Sequence, residues 1–543
     1  MPLAHRRQLT IFALLSAALL LLQCTSSGSP TPPEPDMEDQ ETALELRNII
    51  LVIGDGMGPN QVGFLQQYAR HAASSPYGDN STAIENMASE GVTGLAETYA
   101  QGALTVDSAC SATHLSTGQM APLEALGVDM EGNPVPTILQ RARDTGRATG
   151  LVTDTRATHA TPAAFFSHIA HRSQEDEIAE QLFDEEVDLM LAGGLRHFIP
   201  NADHLDERPE SVPSWAWPPS SHRQDSQDLL HRAAENGYSL AFDQHQLRDA
   251  NNLPLLGLFA KSGMFNAIEE LQTTDDPDRR QPTLDEMTTI ALELLDQRSE
   301  GFFLMVEAGQ IDWAGHDNDA GWLLHEMLRL DITLGAILHW LDGRDDTLLI
   351  VTADHETGGF GFSYSGHDLP EPTPLPGTVF DHRYHQPNYN FGTYDQLDDF
   401  ASQQKTFGDI LRTLNMSESP SAEKLQDLIQ AHTPYTLSPV QAGRVLQRHN
   451  NPMHDPNHPY LRNPTIPKID DFTEFYPYGD STQANLLGRA LAAQQNVVWS
   501  TGTHTHTPVP VIALGPERHL EAFQGWMHLA DIGQTMNTLF HAP

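Results

Sequence analysis

The first sign of chemistry in this chain is acidic residues placed directly after short apolar runs. Asp55 follows Ile49–Ile53 in Ile-Gly-Asp-Gly-Met-Gly, Glu307 follows Phe302–Val306, and Asp354-His355 follows Leu348–Ala353. In an open parallel sheet the carboxyl ends of the strands share one edge, and ligands bind there. A single strand-end Asp is an ordinary turn or cap residue. Three from distant segments, accompanied by histidine, point to one shared site. Asp312 and His316 are four residues apart, so a helical turn puts both on one face, where carboxylate and imidazole form half of a zinc site. Asp354 and His355 are adjacent and would face opposite ways along a regular strand. They can serve one site only where the backbone turns. His504 and His506 precede the last apolar run, one as a candidate ligand and the other as a surface residue.

A serine offers a second kind of chemistry. Asp107-Ser108-Ala109-Cys110-Ser111-Ala112-Thr113 leads into a short helical stretch ending near Gly118. Free backbone N–H groups and a positive helix end suit a group that holds phosphate; the same pattern also fits a plain serine cap. No G-x-S-x-G elbow surrounds Ser108, so a Ser-His-Asp hydrolase is not indicated. Cys110 fits a small buried apolar role better than a nucleophilic one. Gly54-Asp55-Gly56-Met57-Gly58 has the wrong spacing for a dinucleotide loop, and no Walker A motif is present.

These residues need a scaffold that brings strand ends together. Ile49–Ile53, Ala148–Val152, Val187–Leu191, Phe302–Val306 and Thr347–Val351 are short, near-continuous apolar runs that fit buried strands. Between them, Thr283-Leu284-Asp285-Glu286 is a capping-box start. Met287, Ile290, Ala291, Leu294 and Leu295 follow at amphipathic-helix spacing. Strand–helix alternation predicts an α/β fold: a mostly parallel central sheet flanked by helices on both faces, with large surface insertions. Residues 200–225 are Pro- and Trp-rich and read as an inserted loop. Residues 361–480 form a larger irregular block, rich in Pro, Asn, His and Tyr. Regular α/β signals return near Gln483 and run through Val509–Leu514 to a final helix near Asp531–Phe540. The expected organisation is therefore a catalytic domain in two parts, 46–360 and 481–543, interrupted by the insertion 361–480.

The chain has 543 residues, 39% of them hydrophobic, with 73 acidic against 30 basic side chains and a formal net charge of −43. Coiled-coil, collagen-like and disordered classes do not fit this composition. So acidic a chain cannot neutralise phosphates along a polyanion, so a nucleic-acid partner is excluded. Only Lys261, Lys405, Lys424 and Lys468 are lysines. That scarcity favours adaptation to high salt over acidity for solubility alone, and with it a salt-adapted bacterial source. At the N-terminus, Arg6-Arg7 precede the apolar run Leu9–Leu22, the pattern of an export signal over 1–23 and too short for a membrane span. Leu21-Leu22-Gln23-Cys24 resembles a bacterial lipobox, although Gln departs from the small residue usual before the Cys. A lipid anchor at Cys24 and ordinary cleaved secretion both remain open, giving a periplasmic, outer-membrane-anchored or extracellular protein. Residues 24–45 read as a flexible tether. Cys24 and Cys110 are the only cysteines.

Taken together, the motifs IGDGMG, VDSACSAT, HATPAAFFSHIAHR, LAGGLRHF, FFLMVEAGQIDWAGH, TADHETGG and THTHTPVPVIALGP resemble the alkaline phosphatase family, from about residue 46 to 360 and again from 481 to 543. The resemblance implies hydrolysis of a broad range of phosphate monoesters through a phosphoserine at Ser108. It implies two zinc ions (Zn2+), one held by Asp312, His316 and His504 and the other by Asp55, Asp354 and His355. The family's spacing back from Gly515 selects His504 over His506. It further implies one magnesium ion (Mg2+) on Asp55, Thr161 and Glu307, Arg172 as the phosphate grip, and a homodimer. His159 stands where one branch of the family has Asp in the third metal site, and Trp313 where Lys or His is frequent. The interval from His355 to His504 is longer than in compact members, and disulfides found in some members are absent. The competing expectation is a phosphodiesterase or another hydrolase of the same superfamily. A sulfatase is disfavoured because Cys110-Ser111-Ala112-Thr113 lacks the C/S-x-P-x-R context.

Overall fold

The computed structural model describes residues 46–78, 81–201, 207–216, 221–380, 384–479 and 481–540. The expected export signal, Cys24 and the tether lie outside the described residues. A ten-stranded sheet organises the chain. In chain order its strands are β1 Asn48–Gly54, β2 Val92–Glu97, β3 Ala148–Arg156, β4 Leu189–Gly193, β5 Ser239–Ala241, β6 Leu255–Leu258, β7 Phe302–Ala308, β8 Thr347–Thr352, β9 Val509–Leu514 and β10 Gly525–His528. They lie side by side as β10-β2-β9-β8-β1-β7-β3-β4-β6-β5. Only β9 runs against its neighbours, antiparallel to both β2 and β8. Every residue of β1, β7 and β8 is buried, which is why their sequences are continuous apolar runs: helices cover both faces.

Register brings the strand-end acids together. Ile53 of β1 lies beside Glu307 of β7 on one side and Thr352 of β8 on the other, and Glu307 also pairs with Thr153 of β3. Glu307 is therefore inside its strand, not just beyond it. Asp55 and Asp354 follow one or two residues later on the same edge.

Two glycines are required by close approach. Gly56, just after Asp55, has φ +78°, and a Cβ there would sit 2.7 Å from the Asp312 backbone. Gly118 closes the helix Ser108–Thr117 in the left-handed conformation, and a Cβ would meet the Gln534 nitrogen at 2.5 Å. Both positions lock site-bearing elements against their neighbours.

The helix predicted after the Thr283 capping box is present as Leu284–Leu295, with the box closed in both directions. The block 361–480 is less irregular than its composition suggests. It contains the helices Asp395–Ala401, Phe407–Asn415, Ala422–His432 and Pro439–Val445. Thr406, Ser421 and Ser438 cap three of them, and Phe407, Ile410, Leu411 and Leu414 form a buried stripe on one. The Pro- and His-rich connections between these short helices hid the period. Within 200–225, the described residues hold only one short turn of 3-10 helix, Ser214–Ala216, as a loop requires. Its anchor is Arg223, fully buried and forked onto Asp225 and Glu180. No helix among the described residues is long and apolar enough to cross a membrane.

Candidate active site

Ser108 is the first residue of its helix, and Asp107 supplies the cap. The Asp107 carboxylate accepts from the Ala109 and Cys110 N–H groups at 3.0 and 3.4 Å. The serine side chain is thus released from capping, and its Oγ lies 3.2 Å from His355 Nε2. Ser111, one turn on, is engaged elsewhere: its hydroxyl donates to the Asp107 carbonyl at 3.0 Å. Cys110 is fully buried against His114 and donates to the Ala121 carbonyl; burial pushes its thiol well above the ordinary range, as expected of an inert cysteine.

The turn after β8 resolves how adjacent Asp354 and His355 share a site. Asp354 Oδ1 accepts from the His355 N–H at 2.9 Å and from the Gly56 N–H at 3.2 Å, curling the chain back on itself. His355 Nε2 then lies 3.1 Å from Asp354 Oδ2 and 3.6 Å from Asp55 Oδ1. The donor atoms of Asp55, Asp354 and His355 all fall within 4.8 Å of one another.

The helix Gln310–Asp317 puts Asp312 and His316 on one face, with His316 Nε2 3.3 Å from Asp312 Oδ2. His504 completes the group, its Nε2 3.2 Å from His316 Nε2 and 3.5 Å from Asp312 Oδ1. Each imidazole is turned by a backbone carbonyl: His316 Nδ1–H donates to Gly502 and His504 Nδ1–H to Val106, both at 2.8 Å. That orients both rings and brings their Nε2 atoms face to face. Two ring nitrogens so close need a shared proton or a cation between them. His355 stacks on His504 at 3.5 Å, so Asp312, His355 and His504 also form a cluster, and the two sites are contiguous. His506 is exposed and lines a separate outer cleft with Trp526.

A third cluster joins Asp55, His159 and Glu307. His159 Nδ1 is 3.7 Å from Glu307 Oε1. Asp55 Oδ1, His159 Nδ1 and Glu307 Oε1 are all buried without a hydrogen-bond partner. Three orphaned donors converging on one point are costly unless an ion satisfies them. Thr161 Oγ1 reaches the other Asp55 oxygen at 3.4 Å, and Thr155 donates to the other Glu307 oxygen at 3.1 Å.

Arg172 lies beside this cluster. Its Nη1 donates to Asp107 at 3.0 Å and its Nη2 is 3.4 Å from His159 Nε2. The chain reaches it because the helix Ala160–Ala163 is a single turn and the path then bends back, so the straight-helix separation from Thr161 never arises.

The site is strongly acidic. Burial first, then the charges of Asp354, Asp312 and Glu307, push the Asp55 carboxyl well above its ordinary value. Burial would raise Asp312 too, but His316, His504 and His355 outweigh it and hold it well below. Burial drives His504 down to about 3, so it stays a neutral ligand type. Four buried carboxylates with so few cations need positive charge from outside the chain.

Two features went unseen in the sequence. Asp107 orients Arg172 while capping the serine helix, and its place immediately before Ser108 was the available signal. Tyr478 packs edge-on against His316 at 4.9 Å, and nothing local marks it.

The alkaline phosphatase family model matches residues 46–436. The chain is 35% identical over 334 residues to the repressible alkaline phosphatase of Saccharomyces cerevisiae, covering 58% of this chain and 55% of the relative. It is 32% identical over 335 residues to alkaline phosphatase 4 of Bacillus subtilis, covering 60% and 65%. The match thus spans less than two thirds of either relative. The alkaline phosphatase structure from Thermus thermophilus superposes with a TM-score of 0.70 at 25% identity, over 94% of this chain and 95% of that one. By the family match and by the fold, this chain belongs to the alkaline phosphatase family.

Proposed function

We propose that this protein hydrolyses phosphate monoesters by transferring the phosphoryl group to Ser108 and then to water. The observation that carries the reading is Ser108 Oγ, uncapped and 3.2 Å from His355 Nε2, at the meeting point of the buried donor clusters. The donor sets fit metals of two kinds. Asp312, His316 and His504, and Asp55, Asp354 and His355, mix imidazole with carboxylate as zinc prefers. Asp55, Thr161 and Glu307 are oxygen donors suited to magnesium, with His159 at their side. When bound, paired zinc ions would depress the Ser108 hydroxyl pKa and offset charge on the attacking and leaving oxygens.

The protein's own groups do the rest. The free N–H groups at the start of the serine helix favour an anion there. Arg172 presents a planar fork to two phosphoryl oxygens, and Asp107 holds that fork at the correct angle. Because these groups contact phosphate and not the alcohol, a broad range of monoesters is expected. The leader-like residues 6–24 support export, with or without a lipid on Cys24, and the family resemblance supports a homodimer.

The test is metal content of the purified protein together with phosphomonoesterase activity before and after chelation. Activity should vanish with the chelator and return with zinc and magnesium. A diester of the same chromogenic alcohol should be hydrolysed far more slowly; a preference for the diester would replace this reading with the phosphodiesterase one.

A further inference from the structure

The insertion returns to the catalytic site at its far end. Strands Arg448–Asn450 and Thr465–Pro467 pair antiparallel, and the loop 451–464 between them is tied by one buried side chain. Asn451 donates to the Leu461 and Asn463 carbonyls at 3.3 and 3.0 Å and accepts from the Met453 N–H at 2.9 Å. This held loop carries Tyr460, whose ring meets that of Tyr478 edge to face at 5.8 Å. Tyr478 meets His316 in the same manner at 4.9 Å.

Tyr478 is fixed from behind. Its carbonyl accepts from Ser481 N–H and Thr482 N–H at 3.0 Å and from the Thr482 hydroxyl at 2.9 Å. That anchors it to the start of the helix Thr482–Gln495, whose Asn485 donates to the His316 carbonyl at 2.5 Å. The ring series therefore runs outward from His316 through Tyr478 to Tyr460. Tyr478 is half-buried, and Tyr460 at the outer end of the pair is 52% exposed. An exposed aromatic ring propped by a neighbouring ring that itself packs on a site histidine is a surface for a planar group.

We propose that Tyr460 is a specificity-determining residue: a stacking platform for the alcohol portion of the substrate, favouring phosphate esters of planar alcohols, phenols and nucleosides, over those of small aliphatic alcohols. The proposal rests on the monoesterase reading above. Stacking on a rigid aromatic ring adds binding that an aliphatic alcohol cannot gain, about tenfold for one well-placed ring. The leaving oxygen is common to all esters, so the chemistry at Ser108 is unchanged and the difference lies in how the departing group is held.

The test compares kcat/KM of the metal-loaded wild type, Tyr460→Ala and Tyr460→Phe on phenyl phosphate, adenosine 5′-monophosphate and glycerol phosphate. In Tyr460→Ala the ratio of either planar ester to glycerol phosphate should fall about tenfold, mainly through KM, and Tyr460→Phe should restore it. An unchanged ratio in Tyr460→Ala would overturn the proposal, as would an equal loss on all three esters, which marks a merely structural role. A wild type inactive on every monoester would instead overturn the functional reading beneath it. Matching melting temperatures across the three proteins establish that the loop still folds.

Discussion

Asp107 Oδ2 accepts from the Ala109 N–H and from Arg172 Nη1, each at 3.0 Å. One carboxylate oxygen thus caps the helix that begins with Ser108 and aims the guanidinium that faces it. The other oxygen accepts from the Glu124 N–H at 2.7 Å, and the Glu124 carbonyl in turn accepts from the Arg172 N–H at 2.7 Å. The helix that begins with Ser108 and the Arg172 guanidinium are therefore held by one small network. Arg172 and Asp107 also set each other's charge: despite burial, the arginine lies above its ordinary pKa and the aspartate below.

Asp107→Asn separates these duties. Asn caps a helix about as well as Asp, so stability should change little, whereas Asp107→Ala should lose about 1 kcal/mol of capping. In both variants Arg172 loses its orienting charge, and inorganic phosphate should inhibit several-fold more weakly. Inhibition constants with thermal melts measure the two effects apart. Tighter phosphate inhibition would mean that Asp107 acts on Arg172 through charge and not through orientation.

Ser108→Ala should lower kcat by roughly three orders of magnitude or more, because it removes the hydroxyl proposed to accept the phosphoryl group. Acid trapping of the wild type with labelled substrate should place phosphate on Ser108. Label on Ser111, whose hydroxyl is already donated to Asp107, would sink the assignment.

His159→Asp tests the third cluster. A carboxylate beside Asp55 and Glu307 adds negative charge and a hard oxygen donor where an imidazole now stands. Magnesium binding to the zinc-loaded variant should tighten, while the lowered positive potential weakens phosphate inhibition. Calorimetric titration with magnesium and phosphate inhibition assays read both. Unchanged or weaker magnesium affinity would remove His159 from the metal site.

Salt should stabilise the fold. A formal charge of −43 opposes compaction through carboxylate repulsion, and at about 1 M salt the screening length falls to ~3 Å. The melting temperature should rise steadily from low salt to molar sodium chloride. A flat or falling curve would assign the acidity to solubility alone.

The α/β class, the five central strands and the helix Leu284–Leu295 were legible in the sequence. A strand buried on both faces must be a continuous apolar run, and a capped helix must show its period. The Asp312/His316 pair was legible for the same reason: i, i+4 spacing is local geometry. The strands β2, β5, β6 and β10 were not. β5 and β10 are short and partly exposed, β2 is mostly half-exposed with Thr and Gly breaking its apolar run, and β6, though buried throughout, is only the four residues Leu-Leu-Gly-Leu. What only the tertiary structure decided is orientation. His316 owes its ring orientation to Gly502, His504 to Val106, Arg172 its direction to Asp107, and Tyr478 its place on His316 to the start of the helix Thr482–Gln495. Each relation joins segments far apart in the chain except Arg172 with Asp107, and even these meet only because the helix after His159 stops after one turn. Residue type and local period record what a side chain can do and which face it buries. Which distant carbonyl, carboxylate or ring it finally meets is set by packing, and no window of sequence contains both partners.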